Sequence, residues 1–414
     1  MYIPRIGAAT GQDLKEAESR RESSPRTPAT VEELDRVLSD IAASKRLPGF
    51  GAAVVSGDRV LFRKGYGFAD IDKQMAYTPN SLHYIASVSK TLIGISLMQL
   101  VEQGRIRLDD DINLYLPFKI VNPHFPTDRI TIRHLATHTS TIRDRTDFYY
   151  DKNYVLEERR VFKKGELSAE YEKLLKVYAD NKRMPMEQFI RNFVAKDGAW
   201  YSKNNFLKQR PGTTREYSNL GATIAGFIVE RVTGDTYAEY TRKNILAPLG
   251  MLDSGWSFEG IDVKRFVLLY VFNTAIFPRY STIDYPSGGM ITSLEDMTRY
   301  GMEIIKGYQG KSSLLGQEFF REMVSPQSKV VRLGGIFWSL QDPCDYQVNC
   351  IGHGGADYGT ISSIGFDPKA NIGVMLFTNY SSPNYFRDDA PAARAFNSAR
   401  QALTDYARQT AIRN

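Results

Sequence analysis

Segments that need a sheet partner stand near both ends of this chain, while helical periodicity dominates the middle. Residues 51–55 and 60–66, joined across Ser56-Gly57-Asp58, read as a β-hairpin, with Gly57 expected to supply the positive φ of a tight turn. Far along the sequence, residues 336–340, 359–366 and 372–378 carry strand signals again, the last two joined by the turn Asp367-Pro368-Lys369-Ala370-Asn371. A strand cannot satisfy its main-chain groups alone, so the two ends are expected to meet in one antiparallel sheet. Helices are available to cover it. Thr30-Val31-Glu32-Glu33 has capping-box form before Leu34, Val37, Leu38 and Ile41, and Ala392, Phe396, Ala399, Leu403 and Tyr406 recur at helical spacing near the C-terminus.

A chain of 414 residues is long for one core and long enough for two lobes. The pattern predicts an α/β (α+β) architecture: an antiparallel sheet flanked by helices, built from residues 30–115 and 280–414, plus a mainly helical lobe over 116–279. Within the latter, residues 143–210 mix Phe148, Tyr149, Tyr150 and Tyr154 with charges and read as an insertion that either forms a lid or simply packs. Residues 90–105 place Ile93, Leu97, Leu100 and Val101 on one face of a buried helix. Residues 1–29, rich in Ser, Arg, Glu and Thr-Pro without an apolar face, read as a flexible tail.

Composition excludes several classes. With 42% hydrophobic and 24% charged residues the chain is neither largely disordered nor a disulfide scaffold. The longest apolar candidate for a membrane span, residues 266–277, is interrupted by Asn273 and reads as a strand. The net charge of +6 comes from basic residues interleaved with acids, with no run of Lys and Arg longer than two, so a solvated mixed-charge surface is expected and nucleic acid is not an expected partner. The N-terminus has no apolar stretch of signal-peptide kind, which implies a cytoplasmic chain as written, or a periplasmic or secreted one if Met1 is not the natural start. Cys344 and Cys350 are spaced to face each other across a hairpin, as a disulfide or as two thiols.

Three short motifs carry chemistry. Ser87-Val88-Ser89-Lys90 stands where a loop enters a helix; residues at i and i+3 share a face, so amine and hydroxyl can share a proton beside the positive helix end. A serine becomes a nucleophile when a base takes its proton, and a lysine serves as that base where burial or cationic neighbours favour the neutral amine. Tyr217-Ser218-Asn219 opens another helical stretch: a tyrosine beside a lysine can relay protons, and an Asn amide can hold a substrate carbonyl. His353-Gly354-Gly355 precedes a strand, where two glycines would let substrate approach and the N–H of Ala356 could donate to an oxyanion. Each motif alone is weak; average composition gives S-x-x-K roughly once or twice in a chain this long.

In this order and context the three resemble the S-x-x-K, Y-x-N and K-T-G-like elements of the serine β-lactamase and penicillin-binding protein superfamily. Residues 108–117, 132–140 (IRHLATHTS), 286–297 (PSGGMITSLEDM) and 352–379 resemble the branch holding class C β-lactamases, D-aminopeptidases and family VIII carboxylesterases. The resemblance covers residues 30–410, loosely over 143–210. It implies a β-lactamase/transpeptidase-like fold, Ser87 as acylated nucleophile, Lys90 as base partner, Tyr217 as proton relay and Asn219 as substrate anchor. It further implies an oxyanion hole from the N–H groups of Ser87 and Ala356, a small-molecule or peptide substrate, and no cofactor.

One departure stands out. Where β-lactamases have Lys and Thr to bind the drug's carboxylate, this chain has His353 and Gly354, with no hydroxyl and an imidazole only partly charged near neutral pH. That favours ester, amide or peptide hydrolysis over efficient β-lactam turnover, unless Arg143, Arg145 or another insertion residue supplies the charge. An acyltransferase using the same acyl-enzyme and a non-catalytic sensor of ligands or cell-wall fragments are the rival functions. His134 and His138, at i and i+4, lack the acidic base and third ligand of a zinc site, and Gly288-Gly289 lacks the rest of a phosphate-binding loop.

Overall fold

The computed structural model describes residues 27–145, 148–163, 165–271, 275–331, 334–340, 351–381 and 389–413. The expected tail through residue 26, and Cys344 and Cys350, lie outside these residues.

Helix α1, Val31–Ala43, starts on a reciprocal capping box: the Thr30 hydroxyl accepts from the Glu33 N–H, and Glu33 returns to the Thr30 N–H. The hairpin follows as β1, Gly49–Val55, and β2, Val60–Asp70, with a bulge between Val54 and Val55. Gly57 does not have the positive φ expected of it. A Cβ there would stand 2.9 Å from Asn371 Oδ1 and 3.1 Å from Ile305 Cγ2, so close approach is what favours glycine. Strand β3, Met75–Ala76, completes this edge.

Helix α2, Lys90–Glu102, is buried on every side from Lys90 to Leu100, beyond the single face expected. Helix α3, Asn219–Thr233, and helix α4, Leu294–Tyr308, are the other long helices that bear on the site. The remaining strands are β4, Ser339–Leu340, β5, Ile351–Asp357, β6, Thr360–Asp367, and β7, Ile372–Thr378; helix α5, Ala390–Arg413, follows. The seven strands form one sheet in the order β4-β5-β6-β7-β1-β2-β3, antiparallel throughout. The seam between the two ends runs from Phe50 opposite Thr378 to Val55 opposite Gly373. One sheet face buries Phe50, Val54 and Leu376 against Leu34 and Leu38 of α1 and Phe396 and Leu403 of α5. The other buries Ala53, Val55, Ile364 and Phe377 in the larger core with α2, α3 and α4.

Three local expectations change. Only Ser339 and Leu340 of residues 336–340 pair as strand, because the Ile336 and Phe337 N–H groups donate to Met323 and Ala136 and Phe337 turns to φ 57°. Residues 266–277 are not one strand: Leu269–Val271 pairs with Ala275–Phe277, and Asn273 falls between them, outside the described residues. His353-Gly354-Gly355 lies within β5 rather than ahead of a strand, and the turn comes afterwards at Gly359, φ 67°. Among the described residues no helix is long and apolar enough to cross a membrane.

Candidate active site

Short strand Leu82–Tyr84 pairs with Ile291–Ser293 and delivers the chain to the nucleophile motif. Two hydroxyls of β6 pin the approach: Thr360 Oγ1 donates to the Tyr84 carbonyl at 2.8 Å and Ser362 Oγ to the Ile85 carbonyl at 2.7 Å. Ala86 then takes φ 45°, a left-handed conformation that costs an L-residue about 1–2 kcal/mol, and the chain enters the 3-10 turn Ala86–Ser89 that runs into α2. As the residue spacing requires, Ser87 and Lys90 share a face, with Nζ 3.0 Å from Oγ. The lysine is fully buried, and its three donors are matched by three acceptors: Ser87 Oγ, Asn219 Oδ1 at 2.7 Å and the Ser287 carbonyl at 2.5 Å.

The second motif caps α3. Ser218 Oγ accepts from the Gly221 N–H at 2.8 Å. Asp144, from the start of the insertion, accepts from Ser218 Oγ at 2.9 Å and from the N–H groups of Asn219 and Leu220 at 2.6 and 3.0 Å. Burial pushes its carboxyl above the usual range, while these three donors favour the carboxylate. This grip turns the Asn219 amide toward Lys90. The Lys90 amine also stands over the Tyr217 ring, 5.0 Å from its centroid.

His138 packs on Tyr217 with centroids 4.3 Å apart, and its Nδ1 accepts from the Ser218 N–H at 3.3 Å. Burial holds this imidazole well below its ordinary pKa, with the charges of Arg215 and Lys90 acting in the same direction. His134 is spent elsewhere: its ring accepts from the Thr131 N–H and closes a capping box.

The third motif forms the opposite wall. β4 pairs only with Ile351 and Gly352, so the edge of β5 beyond them has no strand partner among the described residues. The two glycines differ. Gly354 is exposed, and a Cβ there would meet only Ser362 O, at 3.9 Å. At Gly355 a Cβ would stand 2.3 Å from Ile85 O, 2.5 Å from Ser362 Oγ and 3.0 Å from Ser87 N. Gly355 therefore serves packing of the strand against the nucleophile turn, and Gly354 alone offers open approach. The N–H of Ser87, in the first turn of this helical start, lies against this strand one residue before Ala356.

His353 does not carry the partial charge expected of it. Burial and then the Lys90 charge push its pKa down to about 4, so the ring is neutral at pH 7. Of the arginines considered as substitutes, Arg143 Nε lies 3.6 Å from Glu216 Oε1, and Arg145 covers the Phe148 ring.

Several residues of this neighbourhood escaped sequence reasoning. The Ser287 carbonyl accepts a hydrogen bond from Lys90 Nζ, and Asp284 fixes that turn by accepting from Ser287 Oγ at 2.9 Å, Tyr149 Oη at 2.5 Å and Asn153 Nδ2 at 2.8 Å. Tyr149 is fully buried against the rings of Phe189 and Phe193, so this aromatic of the insertion is core. Tyr150 turns the other way, its Oη 3.4 Å from Asn219 Nδ2. The PSGG stretch at 286–289 was a visible signal; Asp144 and Asp284 had none, since their partners are remote in sequence.

A family model described as Beta-lactamase matches residues 34–398. Protein flp of Staphylococcus aureus (strain N315) is 23% identical over 366 residues, covering 85% of this chain; the chain spans 63% of that relative's length. The octameric penicillin-binding protein homologue from Pyrococcus abyssi superposes with TM-score 0.68 at 24% identity, over 90% of this chain and 77% of that one. EstCE1, described as a hydrolase with promiscuous acyltransferase activity, gives 0.67 at 20% identity, over 90% and 98%. These structural likenesses carry the β-lactamase/transpeptidase-like fold.

Proposed function

Since the chain belongs to the β-lactamase family, we propose that it is a serine hydrolase that forms an acyl-enzyme on Ser87 from an ester or amide and releases it to water. The observation that carries this reading is the Lys90 amine 3.0 Å from Ser87 Oγ, buried and held by Asn219 and Ser287. In this mechanism the Lys90 ammonium first gives one proton to solvent; the amine then takes the Ser87 proton as Oγ bonds to the acyl carbon, and the carbonyl oxygen becomes an oxyanion between the N–H groups of Ser87 and Ala356. Tyr217 passes a proton to the leaving oxygen or nitrogen as its bond to carbon breaks. Water, losing a proton along the same path, then displaces Ser87 from the acyl group.

Neutral His353 followed by Gly354 supports simple esters and D-amino-acid amides or peptides over β-lactams. Delivery of the acyl group to an alcohol or amine is a second reading, favoured by the likeness to EstCE1. The test is the intact mass of wild type and Ser87→Ala after exposure to a fluorophosphonate. One adduct on wild type and none on the variant is expected, after which esters, D-amino-acid peptides and β-lactams are assayed in that order. An unlabelled, folded wild type would refute the activated serine, and β-lactam turnover rivalling that of simple esters would refute the substrate preference.

A further inference from the structure

Strand β5 meets the nucleophile turn with one edge open. At Ile351 and Gly352 it lies between β4 and β6, but from His353 to Asp357 only β6 pairs with it among the described residues. Its last pairs, Ala356 with Ile361 and Asp357 with Thr360, close the tight turn at Tyr358 and Gly359. A strand end paired on one side opens at lower cost than one paired on both. The Ala356 N–H, the expected second oxyanion donor, stands one residue from that end, so its aim depends on what else holds the strand.

Asp357 supplies a hold. Its Oδ1 accepts two hydrogen bonds at 2.8 Å, from the Tyr358 N–H and from Tyr154 Oη. The first fixes the turn after β5, and the second comes from the 143–210 insertion, 203 residues away in sequence. Tyr154 is a firm anchor. It opens the short strand Tyr154–Leu156, which pairs with Tyr280–Thr282, and its buried ring stacks on that of Tyr178 with centroids 4.9 Å apart. The rings of Tyr280 and Tyr358 each lie 5.2 Å from it. Side chains alternate along a strand, so Asp357 shares the sheet face of Gly355, where a Cβ would stand 3.0 Å from Ser87 N. The bond to Tyr154 therefore holds β5 on the side that faces the nucleophile turn.

We propose that Asp357 is a positioning residue of this site: by tying Tyr154 to the end of β5 it keeps the Ala356 N–H aimed beside that of Ser87, and so couples the insertion to the oxyanion hole. This rests on the acyl-enzyme reading above and adds the residue that holds its second oxyanion donor. Both donors meet the same oxygen, so the tie needs an acceptor in that place rather than a charge, and the amide of an asparagine offers one.

The assay is fluorophosphonate labelling, in which the phosphoryl oxygen takes the place of the oxyanion, read as a rate constant and as a final stoichiometry. Losing an oxyanion donor outright costs about 10²–10³-fold, so loosening one is expected to slow D357A and Y154F about tenfold, with labelling still complete. D357N should recover most of the rate, and the D357A/Y154F double variant should be no slower than D357A, because both changes remove one bond. If the tie serves the fold alone, stoichiometry or urea stability falls while the rate constant of the folded protein stays that of wild type, and the proposal is overturned. It is overturned equally by a Y154F that labels as fast as wild type, or by a D357N as slow as D357A. If D357A does not fold, Y154F, which loses only a hydroxyl, carries the test. If folded wild type takes no label, the acyl-enzyme reading fails by itself, and amide hydrogen exchange over residues 351–360 decides the tie separately: faster exchange in Y154F keeps it, and equal exchange removes it.

Discussion

Adjacent glycines of β5 should respond oppositely to the same added methyl group. At Gly355 the methyl would stand 2.3 Å from the Ile85 carbonyl oxygen and 2.5 Å from Ser362 Oγ, and those two atoms are themselves hydrogen-bonded at 2.7 Å. A carbon needs about 3.2 Å from oxygen, so the strand and the turn bearing Ser87 must part by roughly 1 Å. Overpacking of this kind costs about 1–3 kcal/mol. The catalytic cost should be larger, because the displaced strand carries the Ala356 N–H away from Ser87, and a misplacement of about 1 Å costs on the order of 10²-fold in rate. At Gly354 the methyl would touch only Ser362 O, at 3.9 Å, which is ordinary contact. Urea unfolding and the rate of fluorophosphonate labelling, measured on G354A and G355A together, test this. G355A should lose about 1–3 kcal/mol and label at least tenfold more slowly, with G354A within about 0.5 kcal/mol of wild type. Equal damage at both positions, or a G355A that labels like wild type, would refute the packing argument.

Three other outcomes follow from the same geometry. Ser87→Ala, Lys90→Ala and Tyr217→Phe should each cost at least about 10² in kcat, ~2.7 kcal/mol of transition-state stabilisation, while His353→Ala should mainly shift substrate preference; a Lys90→Ala enzyme with most of its activity would sink the proton path. Asp144→Ala removes the acceptor from Ser218 Oγ and the Asn219 and Leu220 N–H groups, and should lower unfolding stability by about 2–4 kcal/mol; a loss below about 0.5 kcal/mol would contradict that grip. For His353 the folded pKa of about 4 lies below the ordinary 6.5, so the unfolded chain takes up the proton first. Its contribution is present above pH 6.5, is lost as pH falls from there, and levels off below about 4. Wild type should therefore lose up to about 3 kcal/mol relative to H353Q across that window. The comparison with H353Q is needed because Asp357, raised by burial to about 6, works in the opposite direction.

What the sequence made legible was local or periodic. The hairpin at the N-terminal end, the meander at the C-terminal end and their covering helices follow from side-chain periods that the chain states outright. Ser87 and Lys90 were found by their one-turn spacing, and Tyr217, Asn219 and 353–356 by short motifs beside recognisable element starts. The structure brings these segments to one place, but the contacts that fix them there are long-range. Lys90 meets Ser287 through a main-chain carbonyl, which no residue identity announces. Asp144 reaches the start of α3 across 75 residues, and Asp284 meets Tyr149 across 135. A carboxylate in a charged stretch looks the same in sequence whether it is solvated or closes a helix end.

The glycines and histidines show the same limit from another side. A glycine in a sequence does not say whether the backbone angle, the neighbouring space or neither forbids a Cβ. Gly57 and Gly355 both prove to be matters of space. A histidine likewise fixes only the pH range in which charge can change, and burial decides where in that range the change falls. His353 beside Lys90 is therefore neutral where its residue type alone allowed a partial charge, and the wall opposite the nucleophile is less positive than the motif suggested.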